Sequence, residues 1–106
     1  EQIENITANQ LQIKIEKGAA LFDVRKESEY NSVHIANATL IPLDKINESL
    51  NRHDFKKEFY LHCAGGYRSM IALSILKNRG IHRGVNVIGG MKAIKETEIS
   101  LQKSSC

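Results

Sequence analysis

Short apolar runs alternate along the chain with segments of helical character, and this alternation limits the possible folds more than any other feature. Four apolar runs of four to six residues predict buried strands, at 19–24, 38–41, 58–63 and 85–88, and a further short strand is expected near Ile3. Helices are predicted in the other stretches, at 8–17, 27–32, 44–50, 69–79 and 91–98. Strands that alternate with helices imply βαβ units, and therefore an α/β fold with a parallel sheet covered on both faces.

Four residues mark boundaries of these elements. Thr7 and Asp44 are expected to cap the helices that follow them, because their side-chain oxygens can accept hydrogen bonds from the free N–H groups of a first turn. Pro42 lacks an N–H group, so the strand before it is expected to end there. Gly80 suits the left-handed position after the last turn of the helix at 69–79.

The length of 106 residues fits one domain, predicted as residues 1–106 with a core at about 3–101 and a loose tail at 102–106. Two cysteines, Cys63 and Cys106, are too few for a disulfide framework. No apolar run approaches the ~20 residues of a membrane span, and residues 1–15 show no signal-peptide pattern, so we expect a cytoplasmic protein. The first residue is Glu1, not Met, so we expect a domain cut from a longer protein.

The formal charge of +3 is distributed unevenly between the two halves of the chain. Residues 1–50 hold 5 Lys and Arg against 8 Asp and Glu (5 − 8 = −3), whereas residues 51–106 hold 10 against 4 (10 − 4 = +6). A basic half is compatible with nucleic acid, with an anionic substrate, or with an ordinary solvated surface. The few aromatic residues are not interleaved with the basic ones, so the sequence does not support nucleic-acid binding. We expect the positive charge to lie where small anions approach Cys63.

Cys63 ends a predicted strand, and a glycine-rich loop with Gly65, Gly66 and Arg68 connects it to the helix that begins near Ser69. In open α/β sheets, ligands bind at the carboxyl ends of the strands. Glycines allow successive N–H groups to turn inward, the helix N-terminus adds positive potential, and the arginine adds a full charge. All three effects favour a thiolate, so the pKa of Cys63 should fall below its free value of about 8.5. The alternative is a small, inert, buried cysteine, but this loop composition is hard to explain by packing.

The four histidines are not expected to take part in chemistry. If side chains alternate along the strand, His62 points to the face opposite Cys63, which favours a satisfied core histidine over a general base. His34, His53 and His82 have no partners at a metal-ligand spacing, so no metal site is predicted.

The loop from Cys63 to Ser69 resembles the active-site loop of the rhodanese family of sulfurtransferases. The segments 21–25, 29–30, 34–35, 37–43 and 87–90 resemble further signatures of that family, in the same order along residues 19–95. The resemblance implies a three-layer fold with a mostly parallel five-stranded sheet. Val33 and Asn37 stand where the family usually has glycine, and Ile94 stands near its usual tryptophan, which affects turns and packing.

The resemblance also implies roles for individual residues. Cys63 would be the nucleophile that carries a persulfide, and Arg68 would close the loop and orient an anionic donor. The substrate-binding loop would comprise Ala64, Gly65, Gly66 and Tyr67, together with Ser69, which is equally a candidate helix cap. Asp23 would support the site and Arg25 would lie at the pocket edge; alternatively, Asp23 is a helix cap and Arg25 is exposed. No cofactor is implied, and no role is expected for Cys106.

The spacing within the loop distinguishes related activities. Four residues separate Cys63 from Arg68, whereas the similar cell-cycle phosphatases and arsenate reductases have one residue more, which accommodates a tetrahedral oxyanion. The shorter loop fits a single extra sulfur atom on the cysteine, so the resemblance implies sulfur transfer, from thiosulfate or a thiol persulfide to an acceptor thiol, over phosphate hydrolysis. Arg68 is the one charged side chain in the loop, so we expect a persulfide donor over the thiosulfate dianion.

The amino-acid sequence of the loop also resembles that of rhodanese domains fused to bacterial metallo-β-lactamase-fold hydrolases, so a fused or partner hydrolase of that kind is expected. The alternative to an enzyme is a non-catalytic rhodanese-fold module that binds or regulates a larger enzyme. Such modules often lack the cysteine or the arginine, whereas Cys63 and Arg68 are both present here.

Overall fold

The secondary structure in the computed structural model, which describes residues 2–104, alternates between strands and helices as predicted. The first half contains β1 (Glu4–Ile6), α1 (Ala8–Glu16), β2 (Ala20–Asp23), α2 (Glu27–Ser32), β3 (His34–Ile35), β4 (Thr39–Leu40) and a 3₁₀ helix (Leu43–Ser49). The second half contains β5 (Phe59–His62), α3 (Tyr67–Asn78), β6 (Gly84–Val87), α4 (Gly90–Ile94) and β7 (Leu101–Gln102).

The main sheet has five strands in the order β1-β6-β5-β2-β4, and every neighbouring pair is parallel. This confirms the predicted α/β fold with a five-stranded parallel sheet. The carboxyl ends of β5 and β2 lie side by side, because Asp23 is in register with His62. The sheet therefore brings Asp23 and the residue before Cys63 to the same edge.

Each face of the sheet carries its own hydrophobic core, because successive side chains of a strand point to opposite faces. Along β5, Phe59 and Leu61 pack with α3 and the 3₁₀ helix, whereas Tyr60 packs on the other face with α1 and α4. Cys63 continues the alternation and lies in the α3 core. Burial of a strand on both faces explains why the strands appear in the sequence as continuous apolar runs.

The first helix is held at its start by a reciprocal pair of hydrogen bonds, which confirms the cap predicted at Thr7. The Gln10 N–H donates to Thr7 Oγ1 at 3.1 Å, and the Thr7 N–H donates to Gln10 Oε1 at 2.8 Å. Two free donors are thereby satisfied. The helix presents Ala8 and Leu11 to the core, and α1 is thus fixed against the sheet beside α4.

Two predicted helix starts were wrong by one or two residues. Asp44 is not a cap: the 3₁₀ helix begins at Leu43, whose N–H donates to the Val24 carbonyl at 3.1 Å and ties this residue to the end of β2. The helix predicted from Ser69 begins at Tyr67, because Gly66 adopts a φ of +102° and turns the chain into the helix two residues earlier. Such a φ is readily available to glycine.

The C-terminal region differs from the prediction in two ways: the last helix is shorter, and the predicted loose tail begins with a strand. The last helix ends at Ile94, where the Thr97 N–H and hydroxyl both turn back to the Ile94 carbonyl. Gln102 is not part of a loose tail, since it pairs with His34 in the antiparallel β3–β7 sheet. The Ser104 N–H also donates to the Asn31 carbonyl at 3.0 Å. Residues 105–106 lie outside the described residues.

Candidate active site

The cysteine loop, residues 63–68, leaves the carboxyl end of β5 and leads directly into α3. Cys63 is the first residue after the strand, and Gly66 is the residue before the helix. This is the edge of a parallel sheet at which α/β proteins bind ligands. The predicted strand, loop and helix are thus all present, and they bring Cys63 to the expected edge.

The sulfur of Cys63 is surrounded by hydrogen-bond donors. The Gly66 N–H donates to Sγ at 3.0 Å, and Ser69 Oγ lies 3.5 Å from Sγ. Burial of the residue, which is only 1% exposed, opposes ionisation. Hydrogen bonds from the Ser69 hydroxyl and from the backbone N–H groups of Ser69, Gly66 and Arg68 outweigh it and lower the pKa of the Cys63 thiol. The loop therefore stabilises a thiolate.

Ser69 takes part in a buried polar chain and does not cap a helix. Its hydroxyl oxygen also lies 2.5 Å from Asn86 Oδ1, so its one hydrogen can be donated either to that oxygen or to Cys63 Sγ. The Asn86 amide donates in turn to Asn5 Oδ1 at 2.8 Å. These hydrogen bonds hold the Ser69 oxygen beside Cys63 Sγ. Asn86 was missed by sequence reasoning, although a polar residue between Val85 and Val87 in a buried strand is a usable signal.

The Arg68 guanidinium makes a bidentate ion pair with Glu29 of α2. Nη1 lies 2.7 Å from Oε1 and Nη2 lies 2.9 Å from Oε2. The hydrogen bond from Arg68 lowers the pKa of Glu29 to about 2, although burial opposes this. The side chain predicted to close the loop is therefore engaged by a carboxylate, while the Arg68 backbone N–H faces the sulfur. Glu29 is a second residue that sequence reasoning did not assign to the site.

Asp23 and Arg25 form a buried ion pair beside the loop. Arg25 Nε lies 2.9 Å and 3.1 Å from the two Asp23 oxygens, and Nη2 lies 2.8 Å from Oδ2. Arg25 Nη2 also donates to the Val33 carbonyl at 2.6 Å. Asp23 is 0% and Arg25 is 4% exposed, so the interpretation of Asp23 as a helix cap and of Arg25 as exposed was wrong.

A glycine turn at the start of α4 supports the cysteine loop from behind. The Met91 N–H donates to the Cys63 carbonyl at 2.7 Å, and the Lys92 N–H donates to the Ala64 carbonyl at 3.1 Å. A Cβ atom on Gly90 would lie 2.3 Å from the Cys63 carbonyl oxygen. Gly90 thus permits a contact that no other residue allows, a role that the sequence analysis did not assign.

A cavity of about 700 Å³ adjoins the cysteine loop at Arg68 and lies between that residue, the segment after β2 and the 3₁₀ helix. Its walls combine apolar Val24 and Leu43 with charged residues of both signs, among them Lys26, Lys45, Glu27 and Asp44. Tyr67 of the loop is 79% exposed, while Gly65 is exposed and Ala64 half-buried. The cavity has room for a small thiol or persulfide next to Arg68.

The expected location of the positive charge was wrong in part. Arg52, Lys56 and Arg83 line a different cavity, of about 830 Å³, next to the start of β5 and β6. Parallel strands begin at the edge opposite their carboxyl ends, so these cations lie away from Cys63. Much of the excess in residues 51–106 therefore does not attract anions to the loop.

Within the described residues, no group of three or more His, Cys, Asp or Glu side chains could hold a metal ion. Across residues 2–104, no helix is long and apolar enough to cross a membrane. Cys106 lies outside the described residues, so Cys63 is the one free thiol that the structure describes.

A family model for the rhodanese-like domain matches residues 7–97. The chain belongs to the rhodanese-like domain family. This rhodanese domain is similar to the rhodanese-like domain protein of Staphylococcus aureus, with 35% identity and a TM-score of 0.86 over 97% of this chain and 100% of that one. A rhodanese-related protein from Thermoplasma volcanium is 29% identical with a TM-score of 0.83, over 93% and 97% of the two chains.

Curated relatives carry names that refer to sulfur chemistry. The putative sulfurtransferase YtwF of Bacillus subtilis is 35% identical over 94 residues, or 87% of this chain and 90% of YtwF. The putative sulfur carrier protein YrkF of the same organism is 33% identical over 72 residues, or 68% of this chain but 39% of YrkF. The probable adenylyltransferase/sulfurtransferase MoeZ of Mycobacterium tuberculosis is 37% identical over 92 residues, or 83% of this chain and 24% of MoeZ. The rhodanese domain thus spans well under half of YrkF and MoeZ.

Proposed function

We propose that this rhodanese domain is a sulfurtransferase in which Cys63 carries the transferred sulfur as a persulfide. In the first step the Cys63 thiolate attacks the outer sulfur of a donor RSS⁻, forming CysS–S⁻ and releasing RS⁻. In the second step an acceptor thiolate R′S⁻ attacks that outer sulfur, forming R′SS⁻ and restoring the Cys63 thiolate. One sulfane sulfur moves, no external oxidant or reductant is consumed, and the enzyme alternates between two covalent forms.

The observation that carries the proposal is the set of donors around Sγ. A nucleophilic cysteine needs a thiolate. Burial opposes ionisation of Cys63, but hydrogen bonds from Ser69 and Gly66 outweigh it and lower the pKa of the thiol. Backbone N–H groups of the cysteine loop would also hold the added sulfur of a persulfide anion. The sulfurtransferase names of relatives such as YtwF agree with this role.

Thiol persulfides are proposed as the donors in preference to thiosulfate. Thiosulfate is a dianion, and the one charged side chain of the loop, Arg68, is already neutralised by Glu29. The adjacent cavity offers apolar walls and charges of both signs, which suits a small organic thiol that carries both an amino and a carboxylate group. The acceptor is proposed to be a thiol of the same class.

A larger protein is the proposed context of the domain. The loop from Ala64 to Ser69 resembles rhodanese domains fused to metallo-β-lactamase-fold hydrolases, and a hydrolase of that kind would supply or consume persulfides. A cytoplasmic location would keep Cys63 reduced. A parent gene that encodes only this domain would contradict the fusion.

Steady-state transfer to cyanide tests the proposal, with glutathione persulfide and thiosulfate compared as donors. We expect thiocyanate formation that is lost in Cys63→Ser, and a higher kcat/KM for the persulfide. A clear preference for thiosulfate would contradict the proposed donor alone. No transfer from either donor by the folded protein would instead favour the non-catalytic module.

A further inference from the structure

His62, the last residue of β5, is buried on the face of the sheet opposite Cys63 and contacts the site from there. The side chain is 0% exposed. Its Nδ1 lies 3.1 Å from the Cys63 carbonyl oxygen, and its Nε2 lies 3.5 Å from Asp23 Oδ2. Among residues 2–104, Nε2 has no hydrogen-bond partner, which departs from the satisfied core histidine predicted from the sequence.

The contacts of the ring determine which nitrogen carries the proton. A carbonyl oxygen only accepts, so Nδ1 must be protonated to hydrogen-bond with Cys63. Burial lowers the pKa of His62, although the Asp23 carboxylate opposes this, and thereby favours the neutral ring. In a neutral ring with its proton on Nδ1, Nε2 is an acceptor. The Asp23 carboxylate, which accepts hydrogen bonds from Arg25 at both oxygens, only accepts and so gives Nε2 no donor.

An unpaired acceptor in a core is unfavourable, so packing alone does not explain His62. A buried polar atom without a partner costs about 1–3 kcal/mol, and an aliphatic side chain would fill the same position without that cost. The compensating contact is the hydrogen bond from Nδ1 to the Cys63 carbonyl. That oxygen also accepts the Met91 N–H at 2.7 Å, so two donors from different elements fix its direction.

We propose that His62 is a positioning residue, which through its Nδ1–H holds the Cys63 peptide in the orientation that stabilises the thiolate. A peptide unit is planar and trans, so the Ala64 N–H points opposite to the Cys63 carbonyl. Holding the carbonyl toward His62 and Met91 therefore directs the Ala64 N–H to the other side of that peptide, and fixes where Cys63 Sγ meets the Gly66 N–H. The Cys63 carbonyl selects the Nδ1–H tautomer, whereas the Asp23 carboxylate, 3.5 Å from Nε2, would by itself favour a proton on Nε2.

In a Cys106→Ser background, which leaves Cys63 as the one cysteine in the sequence, alkylation by iodoacetamide followed against pH by intact mass measures the thiol pKa without requiring sulfur transfer. The inference deepens the proposed function, but a domain that fails to transfer sulfur would still report this pKa. In His62→Leu we expect the pKa of Cys63 to rise by about one unit, which lowers alkylation about tenfold at pH values below the pKa. His62→Asn, whose amide nitrogen takes the place of Nδ1, should restore the wild-type profile.

Tyr60→Phe is the matched control, because Tyr60 lies on the same face of β5 and its hydroxyl donates to Glu58 at 2.6 Å, away from the loop. It should leave the pKa of Cys63 unchanged. An unchanged pKa in folded His62→Leu, or a raised pKa in folded His62→Asn, would overturn the proposal. If these variants do not fold, the ¹⁵N shifts of the wild-type ring decide: the Nδ1–H tautomer at neutral pH is expected, and the Nε2–H tautomer would refute the positioning role.

Discussion

Comparing Gly90→Ala with Gly80→Ala should show how much sulfur transfer depends on the close contact between Gly90 and the cysteine loop. Both variants place alanine in a left-handed conformation, but only Gly90→Ala disturbs that contact. Gly90 has a φ of +55°, and its added Cβ would lie 2.3 Å from the Cys63 oxygen and 2.8 Å from two backbone atoms of Ala64. Gly80 has a φ of +85° and nothing within 4 Å of a Cβ. Gly80→Ala therefore carries the backbone strain without the collision.

The two variants should differ in stability and more strongly in activity. The left-handed conformation destabilises alanine by roughly 1–2 kcal/mol in either variant. Overpacking adds roughly 1–3 kcal/mol in Gly90→Ala alone, because the atoms that must move are backbone atoms of Cys63 and Ala64. Since a misplacement of about 1 Å can lower a rate about 100-fold, Gly90→Ala should lose on the order of 100-fold in kcat.

Urea denaturation and steady-state transfer to cyanide measure the two effects on the same protein samples. We expect Gly80→Ala to transfer sulfur at the wild-type rate, with a free energy of unfolding lower by roughly 1–2 kcal/mol. The reasoning is refuted if folded Gly90→Ala transfers sulfur at the wild-type rate. It is also refuted if Gly80→Ala loses as much activity as Gly90→Ala.

Three further variants test the ionic and hydrogen-bonded parts of the site. Glu29→Gln should lower the KM for thiosulfate by freeing Arg68. In the wild type the Glu29–Arg68 ion pair contributes at most about 1 kcal/mol to the free energy of unfolding, because Glu29 is 33% exposed. This contribution is present above the ordinary pKa of 4.5 and is lost as pH falls toward about 2, and thermal unfolding measured against pH would reveal the opposite sign. Ser69→Ala should raise the pKa of Cys63 by roughly 0.5–1 unit; an unchanged alkylation profile would contradict this. Asp23→Asn should lower the free energy of unfolding by about 3–5 kcal/mol, because it leaves a guanidinium buried without its carboxylate; a loss below about 1 kcal/mol in urea would disprove that.

The sheet and the position of Cys63 could be predicted because their determinants are local in the sequence. The apolar runs are short and bounded by glycine or proline, and strands buried on both faces leave that pattern. Cys63, Gly66 and Arg68 follow one of these runs directly, so the strand–loop–helix order alone brings them to the carboxyl edge. The helix starts were predicted less accurately. The start of α3 depends on the φ of +102° at Gly66, and the start of the 3₁₀ helix depends on the hydrogen bond between Leu43 and Val24.

The contacts that complete the site were not predictable, because they join residues far apart in the chain. Glu29 meets Arg68 across 39 positions, and nothing near Glu29 indicates this partner. The approach of Gly90 to Cys63 depends on how α4 packs behind the loop. Gln102 pairs with His34 at the end of a polar segment. The sequence of such a segment does not distinguish a loose tail from a two-residue strand, because only the pairing with β3 makes it a strand.

The intact mass of the protein after incubation with glutathione persulfide tests the central claim most directly. A Cys106→Ser background leaves Cys63 as the one cysteine in the sequence, and excess donor is removed before the measurement. We predict a gain of one sulfur atom, its loss after an acceptor thiol is added, and no gain when Cys63 is also replaced by serine. A folded protein that takes up no sulfur from this donor or from thiosulfate would contradict the account.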